Sequence, residues 1–181
     1  MNDVERIYND LTAVRTLLES HGQMSDRVSF EEISAKTIVL AAASYFEKEV
    51  TSTLLTIAKE TGSNRIFCTF ISKQALDRRF HSMFSWKTPN ANAFFGLFGP
   101  DVKDWFIAQI KANEDVAAGV REFMFLGGRR NEIVHGNFAV IAADITFEEA
   151  FKKFQVALNF VSWLPGTLRA AAKQQEEAVG G

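Results

Sequence analysis

A chain of 181 residues with 47% hydrophobic and 23% charged residues can bury a sizeable core in one domain without a zinc clip or a disulfide scaffold. Its formal net charge of -2 excludes a protein coated in basic residues for binding nucleic acid, and its single cysteine, Cys68, excludes an internal disulfide. No apolar run is long enough to cross a bilayer, and the start has no secretory leader pattern, so the expected location is the cytoplasm.

The first segment places Val4, Ile7, Leu11, Val14, Leu17 and Leu18 at spacings of three and four, which predicts an amphipathic helix over residues 3–20 ending at His21-Gly22. Ser29 with Glu32 has the form of a capping box, and an alanine-rich central helix follows to about Glu60. Thr61-Gly62-Ser63 stops it. "NRIFCTFISKQALDRRFHSMF" then reads as a third helix with a β-branched and aromatic first half, within which Cys68 packs as a small hydrophobe. Thr88-Pro89 and Gly99-Pro100 each suit a cap followed by proline at the first helical position, giving two short helices in tandem.

A sixth helix starts near Asn113 and turns Val116, Val120 and Phe123 inward. Gly127-Gly128 breaks its pattern, and Gly136 fits the left-handed position past a helix end. The last long helix carries Phe147, Phe151, Phe154, Leu158, Val161 and Leu168 on one stripe, with Pro165-Gly166 kinking or ending it and residues 170–181 forming a frayed tail. Only "FAVIAA" resembles a strand. The expected fold is an all-α helical bundle of one domain, residues 1–181, with long central and C-terminal helices and Phe46, Val50, Leu54, Phe123, Phe151, Phe154 and Leu158 in the core. The 17 phenylalanines point to aromatic packing and to a subunit interface.

Charge is uneven along the chain. Residues 1–35 are acidic, whereas residues 61–90 carry Arg65, Lys73, Arg78, Arg79 and Lys87 against Asp77 alone, which makes a local basic surface or a solvated helix face. His21, His81 and His135 stand far apart with no ligand spacing around them, so no metal site is expected, and His21 and His81 read as surface or half-buried residues. There is no phosphate-cradling glycine loop and no serine nucleophile elbow, and no cofactor is expected.

"GGRRNEIVHGN" is the stretch that suits chemistry. Arginine offers a planar fork of donors for phosphate oxygens, and histidine exchanges a proton near neutral pH, with a helix C-terminus favouring the imidazolium. Because RNA carries its own 2′-hydroxyl nucleophile, these two residue types suffice for metal-free strand cleavage. Arg130 and His135 are five residues apart, however, and a regular helix points them about 140° from each other. Either the helix loosens before Gly136, or a second copy brings its own pair opposite the first. The competing reading is a capping histidine beside a chance arginine.

"RRNEIVHG" resembles the R-polar-x-x-x-H signature of the HEPN superfamily of all-helical ribonuclease and nucleotide-binding domains. Its setting in "EFMFLGGRRNEIVHGNF", the early helix "AAASYFEKEVTSTLL" and the block "FSWKTPNANAFFGLFG" are similar to the bacterial RiboL-PSP type of HEPN domain, over about Ser29 to Leu164, which leaves helix 3–20 as an extension. The resemblance implies a homodimer with the motif at its interface, cutting single-stranded RNA without a metal as a toxin or antiphage effector, with an antitoxin or defence-system partner protein. It implies that Arg130 binds phosphate, that His135 transfers the proton and that Asn131 orients them or contacts RNA. Glu47, with Glu49 as its rival, would brace Arg130, while Arg129 and Asn137 either touch RNA or are ordinary surface. The alternative is a non-catalytic HEPN-like module that dimerises and binds RNA or a protein partner. A third reading, a nucleotide-binding subunit, has no phosphate loop behind it.

Overall fold

The computed structural model describes residues 1–77 and 79–179, which are all-α with no strand among the described residues. The helices run α1 (Asp3–Ser20), α2 (Met24–Glu60), α3 (Arg65–Ile71), α4 (Asn92–Gly96), α5 (Pro100–Lys111), α6 (Glu114–His135) and α7 (Phe147–Val179). A π-helical turn, Ser72–Leu76, and a 3-10 turn, Phe80–Met83, stand between α3 and α4. The long helices α2, α6 and α7 form the centre of the bundle, and α6 packs most closely on α7.

Where the chain turns, simple local chemistry decides it. Asn2 and Glu5 close a capping box at the start of α1, and Gly22 and Gly62 take φ of +67° and +86° where a side chain would strain the backbone. The box expected at Ser29 and Glu32 does not form, because α2 has already begun at Met24. No glycine or proline interrupts residues 24–28, and Arg27 ties that first turn to Glu19 of α1 at 2.9 Å.

The expected third helix is broken. α3 stops at Ile71, the π turn follows, and Asp77 leaves helical space at φ -58° and ψ 116°. Weak helix formers in "RIFCTFI" make the helix easy to abandon, and the broken path buries Leu76, Phe80, Met83 and Phe84. Cys68 is buried as expected, whereas Arg78 of the basic stretch lies outside the described residues. Gly99-Pro100 does open α5, but Thr88-Pro89 makes a turn and α4 starts only at Asn92.

Near the end of α6 and in α7 the chain departs from the sequence expectation in three further ways. α6 runs unbroken through Gly127-Gly128 to His135, Gly136 is extended (φ -89°, ψ -178°) rather than left-handed, and α7 continues past Pro165 to Val179. Residues expected to fray from 170 are therefore helical to 179, and Gly180 and Gly181 lie outside the described residues. "FAVIAA" forms turn and bend instead of a strand.

Ten of the seventeen phenylalanines are buried, so the core itself absorbs most of the aromatic surplus. Phe123 is the hub, with ring centroids 5.0 Å from Phe46 of α2 and 5.1 Å from both Phe84 and Phe160 of α7. Phe46, Val50, Phe123 and Phe154 are buried as expected, while Leu54, Phe151 and Leu158 pack at the core's edge. α1 is part of this body, since Tyr8 stacks on Phe151 at 3.9 Å and Arg15 pairs with Glu148 while lying over the Phe147 ring.

Candidate functional site

α6 buries Val116, Val120, Phe123 and Gly127, and Arg130 continues that stripe by one more step of three residues. A charged side chain thus stands where the helix's own pattern asks for an apolar one. Gly127 prepares the surroundings. A Cβ there would lie 1.9 Å from Cζ3 of Trp86, so only glycine lets the indole settle against the helix. The indole Nε1 then donates to the carbonyl of His81 at 2.7 Å, which fixes the 3-10 turn beside the end of α6.

Four side chains meet as a result. Arg130 is half-buried, its Nη1 donates to Oδ1 of Asn131 at 3.1 Å, and it forms no ion pair with any carboxylate among the described residues. His81 faces Glu47 of α2, Nε2 to Oε2, at 3.5 Å, an ion-pair separation longer than a good hydrogen bond. Both ring nitrogens of His81 are shut off from solvent without a hydrogen-bond partner. Burial beside Phe80 and Trp86 pushes the imidazole below the ordinary histidine pKa; the Arg130 guanidinium pushes the same way, Glu47 opposes them, and His135 lowers it a little more.

Of the two ways to reconcile Arg130 with His135, loosening of the helix end does not occur. α6 stays helical to its end, so His135 does not swing back, and it lies exposed at the last position. His81 instead stands against this part of α6, its carbonyl held by Trp86 where the indole packs on Gly127, with both Arg130 and His135 lowering its pKa. Sequence reading passed over His81 because it falls in a stretch with no regular periodicity; the only signal was its place among the aromatics of "RRFHSMFSW". Glu47 is present, but its partner is His81, whereas Glu49 lies about 200° around α2, where after burial it helps, with Glu5, to push the Tyr45 hydroxyl up. Beside Glu47 a groove of about 400 Å³ opens between α2 and the π turn, lined by Lys48, Thr51 and Ser72.

Arg129 has a different occupation. Its guanidinium donates to the carbonyls of Ala142 (3.0 Å) and Ala143 (2.7 Å) and to Asp144 (2.8 Å), and it pairs with Glu132. This clamp holds Asp144 at φ 55°, a left-handed conformation that aspartate tolerates better than most residues. Lys36, 2% exposed, pins the other side of the same loop by donating to the Phe138 carbonyl at 2.9 Å. Asn137 accepts from the Ala139 amide at 3.1 Å and so shapes the loop as well. Next to His135 the apolar side chains of Val134, Phe138 and Val140 are exposed.

A broken α3, a glycine notch and an arginine-histidine end on α6 define a helical domain with one polar cluster at the motif. The family model for RiboL-PSP-HEPN matches residues 5–166, and the chain belongs to that family. The matched range begins inside α1 and ends inside α7. Membership points to RNA cleavage or RNA binding as the broad role. No curated protein and no solved structure matches the chain. Among the described residues no helix is long and apolar enough to cross a membrane.

Proposed function

We propose that this domain is an endoribonuclease that cuts single-stranded RNA without a metal, by attack of the 2′-hydroxyl on the adjoining phosphate, and serves as a toxin or antiphage effector. One observation carries the reading: a half-buried guanidinium, Arg130, held by Asn131 and left without a carboxylate, next to histidines. A desolvated arginine lacking an anionic partner is suited to a phosphate, which supplies two acceptors to its planar fork. Arg130 binds the scissile phosphate and stabilises the charge of the phosphorane, Asn131 sets the orientation of the guanidinium, and His135 transfers a proton.

The exposed Val134, Phe138 and Val140 around His135 favour a homodimer with the motif near its interface, and favour it better than the phenylalanine surplus, which the core consumes. The same apolar cluster supports the second reading, a dimerising module that binds RNA or a partner protein without cutting. Incubating purified protein with single-stranded RNA in EDTA decides between them. Cleavage by the native protein that is lost in His135→Ala supports the nuclease; binding without cleavage supports the module.

A further inference from the structure

We propose that His81 is the second proton-transfer residue of this site, taking the proton of the 2′-hydroxyl while His135 protonates the departing 5′-oxygen. The inference rests on the ribonuclease reading above. Transesterification needs two proton movements at opposite ends of the phosphorus, and a single histidine at the tip of α6 reaches only one of them at a time. The geometry supplies another. His81 stands beside Arg130, the proposed phosphate ligand, with Glu47 3.5 Å from Nε2 to steady the ring and bias which nitrogen carries hydrogen. Neither nitrogen makes a good hydrogen bond, Nδ1 having no partner and Nε2 only the distant Glu47, so the ring keeps hydrogen-bonding capacity that a substrate can use. With 27% of the side chain still open at the cleft edge, turning the ring about Cβ–Cγ presents a nitrogen to the substrate.

The two histidines have environments that suit opposite tasks. His81 is enclosed by Phe80 and Trp86 and faces the cation Arg130, with His135 beyond, against the one anion Glu47, so its neutral form is favoured as a base requires. His135 ends α6 exposed to solvent, open to the leaving-group side of a substrate bound at Arg130. In the step, the 2′-oxygen to phosphorus bond forms as its proton passes to His81. The bond from phosphorus to the 5′-oxygen breaks, its electron pair leaves with that oxygen, and the proton of His135 neutralises it. Solvent resets both rings.

The test compares an RNA oligonucleotide with uridine 3′-(p-nitrophenyl phosphate), whose leaving group needs no proton. His135→Ala should be crippled on RNA and recover most of its rate on the aryl ester. His81→Ala should stay down by about a hundredfold or more on both and lose the acid limb of its pH-rate profile. His81→Asn, which keeps size and polarity, should be as impaired as alanine. Should the alanine variant not fold, Asn carries the comparison. His81 variants within about twofold of the native rate, or recovery by Asn, would overturn the assignment while leaving the nuclease intact. A native protein that cleaves neither substrate would instead remove the nuclease reading itself.

Discussion

Arg129 and Arg130 are neighbours on one helix and end in opposite kinds of surroundings. On one flank of α6, Arg129 is saturated by Glu132, Asp144 and two backbone carbonyls, and with Lys36 it fastens the loop that follows the motif. On the other flank, Arg130 has only the neutral oxygen of Asn131, and the nearby His81 has only the long 3.5 Å contact to Glu47. The first flank is finished as a structure. The second is left open to an anion, and that contrast, rather than the number of basic residues, is what the proposed phosphate site rests on.

Exchanging each arginine in turn should pull the two flanks apart. Arg130→Ala is expected to reduce RNA cleavage by about a hundredfold or more at nearly unchanged melting temperature, and Arg130→Lys should also be poor because lysine keeps the charge without the fork. Arg129→Ala should do the reverse. It frees Asp144 and the loop, costs about 1–3 kcal/mol in denaturant unfolding, and leaves the chemical step largely intact. Equal loss of activity in both variants at matched stability would erase the distinction between the flanks.

Phe154→Ala tests the aromatic body that carries both flanks. Phe154 is fully buried against Phe46 and Tyr45, so its removal should cost about 3–5 kcal/mol by denaturant titration. A cost under about 1 kcal/mol would mean the α2 and α7 interface is not the core. Gly127→Ala is a finer probe, since the added methyl collides with Trp86 and through it displaces the His81 carbonyl. An overpacking cost of about 1–3 kcal/mol should come with a fall in cleavage that Arg129→Ala does not show.

The helices were legible in the sequence wherever a long apolar stripe repeated, as in α1, the centre of α2, the first half of α6 and α7. Periodicity reports burial directly, and burial is what holds a helix in place. The errors gathered at glycine and proline, which sequence reading treats as breakers. Gly127 is instead a notch for Trp86, and Pro165 sits inside α7, which packs on α6 and α2. The site was half legible. Arg130, Asn131 and His135 share a contiguous motif, and Glu47 came with the early helix. His81 reaches the cluster only because α3 breaks at Ile71 and the chain folds back under the indole, a tertiary event with no periodic trace.

The smallest effect expected concerns pH and stability. Because the fold disfavours the His81 imidazolium, the unfolded chain binds that proton more readily, so stability falls as pH drops below the ordinary histidine value of about 6.5. His81→Asn should flatten that part of the pH dependence in thermal melts between pH 7 and 5. An unchanged slope would show that the ring is not held neutral.

The most direct measurement on the central claim is the chemistry of the RNA ends produced by purified protein in EDTA. Attack by the 2′-hydroxyl at a phosphate held by Arg130 requires a 2′,3′-cyclic phosphate on the upstream fragment and a free 5′-hydroxyl on the downstream one, with DNA and 2′-methoxy RNA left uncut. A 5′-phosphate product, or cleavage that appears only with added magnesium, would contradict the account.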